Sequence, residues 1–114
     1  MSHTTGFNAL LAGHAQLEAV IRMSRDGLPL ASHTRANAPA DRLVSIAADL
    51  YSAAEEARLL GDGGAGRLFI DAEHGSLYCR AIDADTLLLL LTNSTCSEQQ
   101  FERMFEEWKS FREP

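Results

Sequence analysis

The sequence predicts an α+β domain in the order α-β-β-α-β-β-β-α, a five-stranded antiparallel sheet with helices on both faces. Three observations carry that reading. Residues 16–23 alternate with a period of two and run into Asp26-Gly27, a hairpin signal because glycine takes the positive φ of a tight turn. Residues 41–60 switch to helical spacing. The stretch Thr-Leu-Leu-Leu-Leu-Leu-Thr at 86–92 has no polar side, so it belongs at the centre of the sheet with cover above and below. One helix cannot supply both covers.

The elements follow in order. Residues 7–12 are apolar and long enough for about two helical turns before Gly13 stops them. In the first strand Leu17, Ala19, Ile21 and Met23 face one way, opposite Gln16, Glu18 and Arg22. The return strand spans 28–32, and Pro29, with no N–H to give to a ladder, places it at a sheet edge. A polar loop occupies 33–40. In the long helix Leu43, Ile46, Ala47, Leu50, Ala54 and Ala57 recur three or four apart, and Gly61 is its stop. The opposite row, pointing away from the sheet, is Val44, Ala48, Tyr51, Glu55 and Arg58. Residues 67–72, 76–82 and 86–92 form a meander separated by His74-Gly75 and Asp83-Ala84-Asp85. The last helix, 97–111, opens on a capping box of Ser97 and Gln100 and turns Phe101, Met104, Phe105, Trp108 and Phe111 inward.

With 114 residues the chain is expected to make one domain spanning 1–114. Hydrophobic residues at 46% and charged residues at 23% suit a globular core. A net charge of −6, with Lys109 the only lysine and no basic cluster, argues against nucleic acid, whose phosphates need cations. The longest apolar run, 87–91, is too short to cross a bilayer, and residues 1–6 lack the pattern of a secretory leader. Cys79 and Cys96 then read as reduced thiols in a cytoplasmic protein, Cys79 as buried filler between Leu77 and Ala81.

Candidate chemistry is sparse. Gly61-Asp-Gly-Gly-Ala-Gly66 matches the dinucleotide fingerprint in letters, but that site needs strand, loop, then helix, and here the order is reversed. His3, His14, His33 and His74 are scattered, and His74 with Cys79 makes two ligands where a metal wants more. Glu55-Glu56 and Glu106-Glu107 are helical neighbours splayed about 100° apart and cannot act as an acid/base pair. No cofactor and no catalytic residue is expected. Glu98, Glu102 and Glu106 form an acidic stripe, either a wet face or a surface steering a basic partner. Phe101, Phe105 and Trp108 read as core, with a partner anchor as the alternative.

The run Leu17-Glu-Ala-Val-Ile-Arg-Met-Ser-Arg-Asp-Gly-Leu-Pro-Leu-Ala-Ser32 resembles the first hairpin of the Roadblock family, the dynein light-chain type also found in bacterial regulators of small Ras-like GTPases. The alanine-rich helix, Arg67-Leu-Phe-Ile-Asp71 and residues 78–92 fall where that family has its second helix and last three strands, in a profilin-like architecture. Two features depart from the pattern: a short first helix and an aromatic last one. The resemblance implies a homodimer in which the third strands pair across a two-fold axis and the second helices pack together. Its interface would hold Arg67, Leu68, Phe69, Ile70, Asp71, Ala47 and Ala54, while Tyr51, Glu55 and Arg58 would meet a partner. An exposed edge carrying Leu68-Phe69-Ile70 would otherwise invite aggregation. The implied function is a non-catalytic regulator or scaffold that binds a small GTPase and stimulates hydrolysis by positioning the GTPase's own residues. A small-molecule sensor, or an adaptor tethering cargo or a signalling kinase, stands as the alternative.

Overall fold

The structure is a computed structural model that describes residues 3–35, 40–57, 59 and 66–112, with backbone alone at 3–5 and 112. Its elements are α1 (His3–Gly13), β1 (Leu17–Ser24), β2 (Pro29–Thr34), α2 (Ala40–Glu56), β3 (Arg67–Ala72), β4 (Gly75–Ala81), β5 (Thr86–Thr92) and α3 (Glu98–Arg112). This is the expected order. The sheet is antiparallel throughout and runs β2-β1-β5-β4-β3.

The all-leucine strand lies in the middle, as its missing polar side requires. Leu88 and Leu90 point into a layer formed with α1 and α3, and Leu87 and Leu89 into one formed with α2. The first layer is aromatic. Tyr78 and Phe101 stack at 5.2 Å, while Phe7 and Phe105 lie 6.4 and 5.8 Å from Trp108. The two helices approach closely at Gly6, where an added Cβ would come within 3.2 Å of the Phe111 Cβ. Burying each large side chain here contributes about 1.5–3 kcal/mol relative to exposure, so this layer carries much of the fold.

Local chemistry explains the element ends. Pro29 opens the edge strand β2, and the β1–β2 register shifts beside it between Arg22 and Met23. Gly27 has φ 94° in the Asp-Gly turn and faces Ala48 of α2. Ser97 Oγ accepts the Gln100 amide at 3.1 Å, and Gln100 Oε1 accepts the Ser97 amide at 2.8 Å, closing the capping box of α3. Arg35, just past β2, donates to the carbonyls of Leu11, His14 and Leu17, so one guanidinium satisfies acceptors at the end of α1.

Three boundaries differ from the sequence reading by more than one residue. The first helix starts at His3, four residues earlier than the apolar run. The return strand continues to Thr34, since His33 and Thr34 pair with Val20 and Ala19. The long helix ends at Glu56, before the glycine-rich segment, of which residues 61–65 lie outside the described residues.

The larger correction concerns how α2 is turned. It buries Val44, Ala47, Ala48, Tyr51 and Ala54, the row that includes the residues expected to point outward. Ile46 and Leu50, expected to face the sheet, are 49% and 39% exposed. At 100° per residue the helix is rotated by about a quarter turn from the expected orientation. The reason is fit. The small Ala48 lets the backbone of α2 sit close to the hairpin at Gly27, where a larger side chain would hold it off. Tyr51 faces inward because Gly66 supplies an acceptor for its hydroxyl at 3.0 Å.

Candidate protein-binding interface

Strand β3 is one of the two sheet edges, and none of the described residues pairs with its outer side. It carries Arg67, Leu68, Phe69, Ile70 and Asp71. Leu68 and Ile70 stand opposite Cys79 and Leu77 of β4 and so look toward the α2 side. Phe69 stands opposite Tyr78 and looks toward α3, where it meets Phe101 edge-on at 5.9 Å. Ile70 is 36% exposed, and Leu68 and Phe69 are half-buried. This is a flat, apolar edge without proline.

On the α2 side the apolar surface continues past the edge. A groove of about 530 Å³ is lined by Ile70, Ala72, Leu77 and Leu91, with His74 and Thr92 at its end. Separately, α2 leaves Ile46, Leu50 and Ala53 exposed, with Leu43 half-buried against the core.

On the α3 side the edge is fixed by charge. Arg67 and Arg80 are direct cross-strand neighbours, which would repel. Glu102 of α3 lies between them, 2.8 Å from Arg67 Nε and 2.8 Å from Arg80 Nη1. It also accepts the Tyr78 hydroxyl at 2.6 Å. Burial pushes the Tyr78 phenol up, and its bond to Glu102 reinforces the shift. Arg80 lies over the Phe105 ring at 4.0 Å. Burial opposes the charge of Arg80, but Tyr78 and Glu102 outweigh it and hold its pKa above the usual value. Within the expected acidic stripe Glu98 and Glu106 lie on the exposed face, and Glu102 is the partly buried member. Glu98 and Glu102 serve Arg67, and Glu106 pairs with Lys109 at 3.5 Å.

The sequence-expected site residues divide accordingly. Arg67 to Asp71 are together on the open edge. Ala47 is 0% exposed and Ala54 9%, both against their own sheet, so neither is offered to a second copy. Tyr51 is 2% exposed. Its hydroxyl donates to the carbonyl of Gly66, the residue before β3, and its ring lies under the Arg25 guanidinium at 5.5 Å. Burial raises its pKa, against the pull of Arg25. Glu55 is occupied by Arg25 Nη1 at 2.8 Å, and Arg25 Nε also donates to the Ala84 carbonyl at 2.6 Å. Tyr51, Glu55 and Arg25 thus brace α2 to both turns at one end of the sheet. Arg58 lies outside the described residues.

Ile46 and Leu50, turned inward by the sequence reading, are exposed apolar residues. The signal was present: Leu43, Val44, Ile46, Ala47, Ala48, Leu50, Tyr51, Ala53 and Ala54 wrap more than half of the helix, more than one sheet can cover.

Both cysteines are free and buried, and burial pushes the Cys79 thiol up to about 12. His74 is exposed at the β3–β4 turn while Cys79 faces the α2 layer, so the two do not converge. Among the described residues no group of three or more His, Cys, Asp or Glu could hold a metal ion. No helix of the described residues is long and apolar enough to cross a membrane.

Fold and surface together define a class: an antiparallel sheet between helices, whose third strand is an edge with no partner on its outer side among the described residues. Residues 8–92 match the Roadblock/LC7 domain, and the chain belongs to that family. Among solved structures it is similar to the gliding protein MglB of Thermus thermophilus, at 20% identity over 93% of this chain and 82% of that one, with a TM-score of 0.77. A Roadblock/LC7 domain from Streptomyces avermitilis is 23% identical over 92% and 90%, TM-score 0.74. MglB of Myxococcus xanthus is 16% identical over 95% and 89%, TM-score 0.76. At these identities the likeness establishes the shared fold. No curated protein matches the sequence.

Proposed function

We propose that the chain is a single-domain, homodimeric, non-catalytic Roadblock-type regulator or scaffold that binds a small Ras-like GTPase in the cytoplasm and stimulates its GTP hydrolysis. The observation that carries self-pairing is the open outer side of β3, which bears Leu68, Phe69 and Ile70 and no proline. A symmetric self-complementary contact covers both its free backbone groups and its apolar side chains. The residues at the seam are Arg67 to Asp71 with Ile46, Leu50 and Ala53. The GTPase partner rests on family membership, since the bacterial members include regulators of such proteins. Acting through the GTPase's own residues, the dimer needs no reacting group of its own.

The test uses the purified chain and the small GTPase encoded nearest to its gene. A complex in gel filtration and faster single-turnover GTP hydrolysis are expected. A complex with unchanged hydrolysis supports the adaptor reading instead, and no complex at all overturns the partner assignment.

A further inference from the structure

We infer that two copies of this chain pair through β3 in one register only, with the two-fold axis at Phe69, and that Arg67 and Asp71 select it. The inference rests on the homodimer reading above and deepens it by specifying the contact. A two-fold axis that keeps the helix layers of both copies on matching sides stands normal to the sheet. Directly opposed residues in an antiparallel pair share a face. The axis therefore passes at a residue, because an axis between residues would set Phe69, which looks to α3, against Ile70, which looks to α2.

Only three centres keep most of β3 paired. An axis at Leu68 sets the charged Arg67 against the Phe69 ring of the other copy and leaves Asp71 outside the pairing of the two β3 strands. An axis at Ile70 sets the charged Asp71 against the Phe69 ring of the other copy. An axis at Phe69 matches all five positions: Arg67 with the partner's Asp71, Leu68 with the partner's Ile70, and Phe69 with the partner's Phe69. The edge reads cation, three apolar residues, anion, so its antiparallel copy is its own complement.

The side chains are disposed for it. Arg67 and Asp71 lie on the same face, both exposed. Arg67 approaches Glu98 and Glu102 through Nε, at 3.6 and 2.8 Å. Asp71 accepts the Ser76 hydroxyl at 2.9 Å through one oxygen, Oδ1, and pairs with no cation of the described residues.

The test is a charge-reversal mixture, read by sedimentation equilibrium. Arg67→Asp alone and Asp71→Arg alone each set like charges opposite one another at both ends of the seam, and each is expected to weaken self-association by roughly tenfold or more. Mixed one to one, the two variants restore an opposite-charge pair at both ends, and a heterodimer of near wild-type affinity is expected. Because Arg67→Asp also faces Glu102, a second measurement stands beside it. Phe69→Cys is expected to form an intermolecular disulfide under mild oxidation, whereas Leu68→Cys is not, its own copy being more than ~7 Å away. A wild-type monomer at every concentration overturns the homodimer reading itself. A wild-type dimer with no rescue in the mixture, or with Leu68→Cys linking as readily as Phe69→Cys, overturns the register alone.

Discussion

The two faces of the sheet are covered by different numbers of helices, and the residues beneath them differ in kind. On one face α1 and α3 close over Phe7, Leu10, Tyr78, Phe101 and Trp108, all at 0% exposure. On the other, α2 alone covers β1 and the middle of the sheet, and Leu68, Leu77 and Leu91 remain only partly buried. Ile70, Ile46 and Leu50 are exposed. Apolar content does not separate the faces; cover does. An aromatic layer sealed by its own chain sets the stability of the subunit, and an aliphatic layer left half open sets what the subunit joins.

That contrast can be broken at several points. Trp108→Ala should have the largest effect, about 3–5 kcal/mol lost from the sealed layer, read by urea denaturation at low protein concentration. Ala47→Leu should cost about 1–3 kcal/mol by overpacking the closed side of α2, while Ala53→Leu on its open side should stay within about 0.5 kcal/mol. An equal loss from both would return α2 to the orientation first expected from its spacing. Leu50→Asp should leave the subunit's circular dichroism intact and weaken self-association by tenfold or more, about 1.4 kcal/mol.

The smallest effect belongs to the β4–β5 turn. There the Asp85 amide, with help from the Thr86 hydroxyl and amide, bonds the Asp83 carboxylate and holds its pKa below the usual value of about 3.9. A depressed folded value means this stabilisation is present above the unfolded pKa and is lost as pH falls through the folded one. Asp83→Asn should therefore flatten the decline in stability below about pH 4 and change little at pH 7. An unchanged acid limb in denaturation titrations would remove Asp83 from the account.

Much of this architecture is legible in the residues. The Asp26-Gly27 turn and the capping box at Ser97 are local signals that appear in the structure where they were read. The period of two in β1 holds from Ala19 to Met23, but the register shift between Leu17 and Ala19 turns Leu17 to the opposite face from the one expected. Leu87 to Leu91 told its position by what it lacked. The orientation of α2 was not legible, because its apolar arc is wider than one contact and either half satisfies helical spacing. The choice between halves came from the small Ala48 against Gly27, and from an acceptor for Tyr51 fifteen residues downstream. The roles of Glu98 and Glu102 were hidden for the same reason: their partners, Arg67 and Arg80, come from strands distant in the chain.

The two edges offer the most direct measurement. Strand β2, guarded by Pro29, and strand β3, with no proline, are both unpaired on their outer sides within the described residues of one subunit. Amide hydrogen exchange should be followed at high and low protein concentration. Slow exchange of the outward β3 amides at high concentration, accelerating on dilution while β2 is unaffected, is the expected result. Exchange along β3 that is fast and independent of concentration, like that of β2, would contradict the pairing on which the account depends.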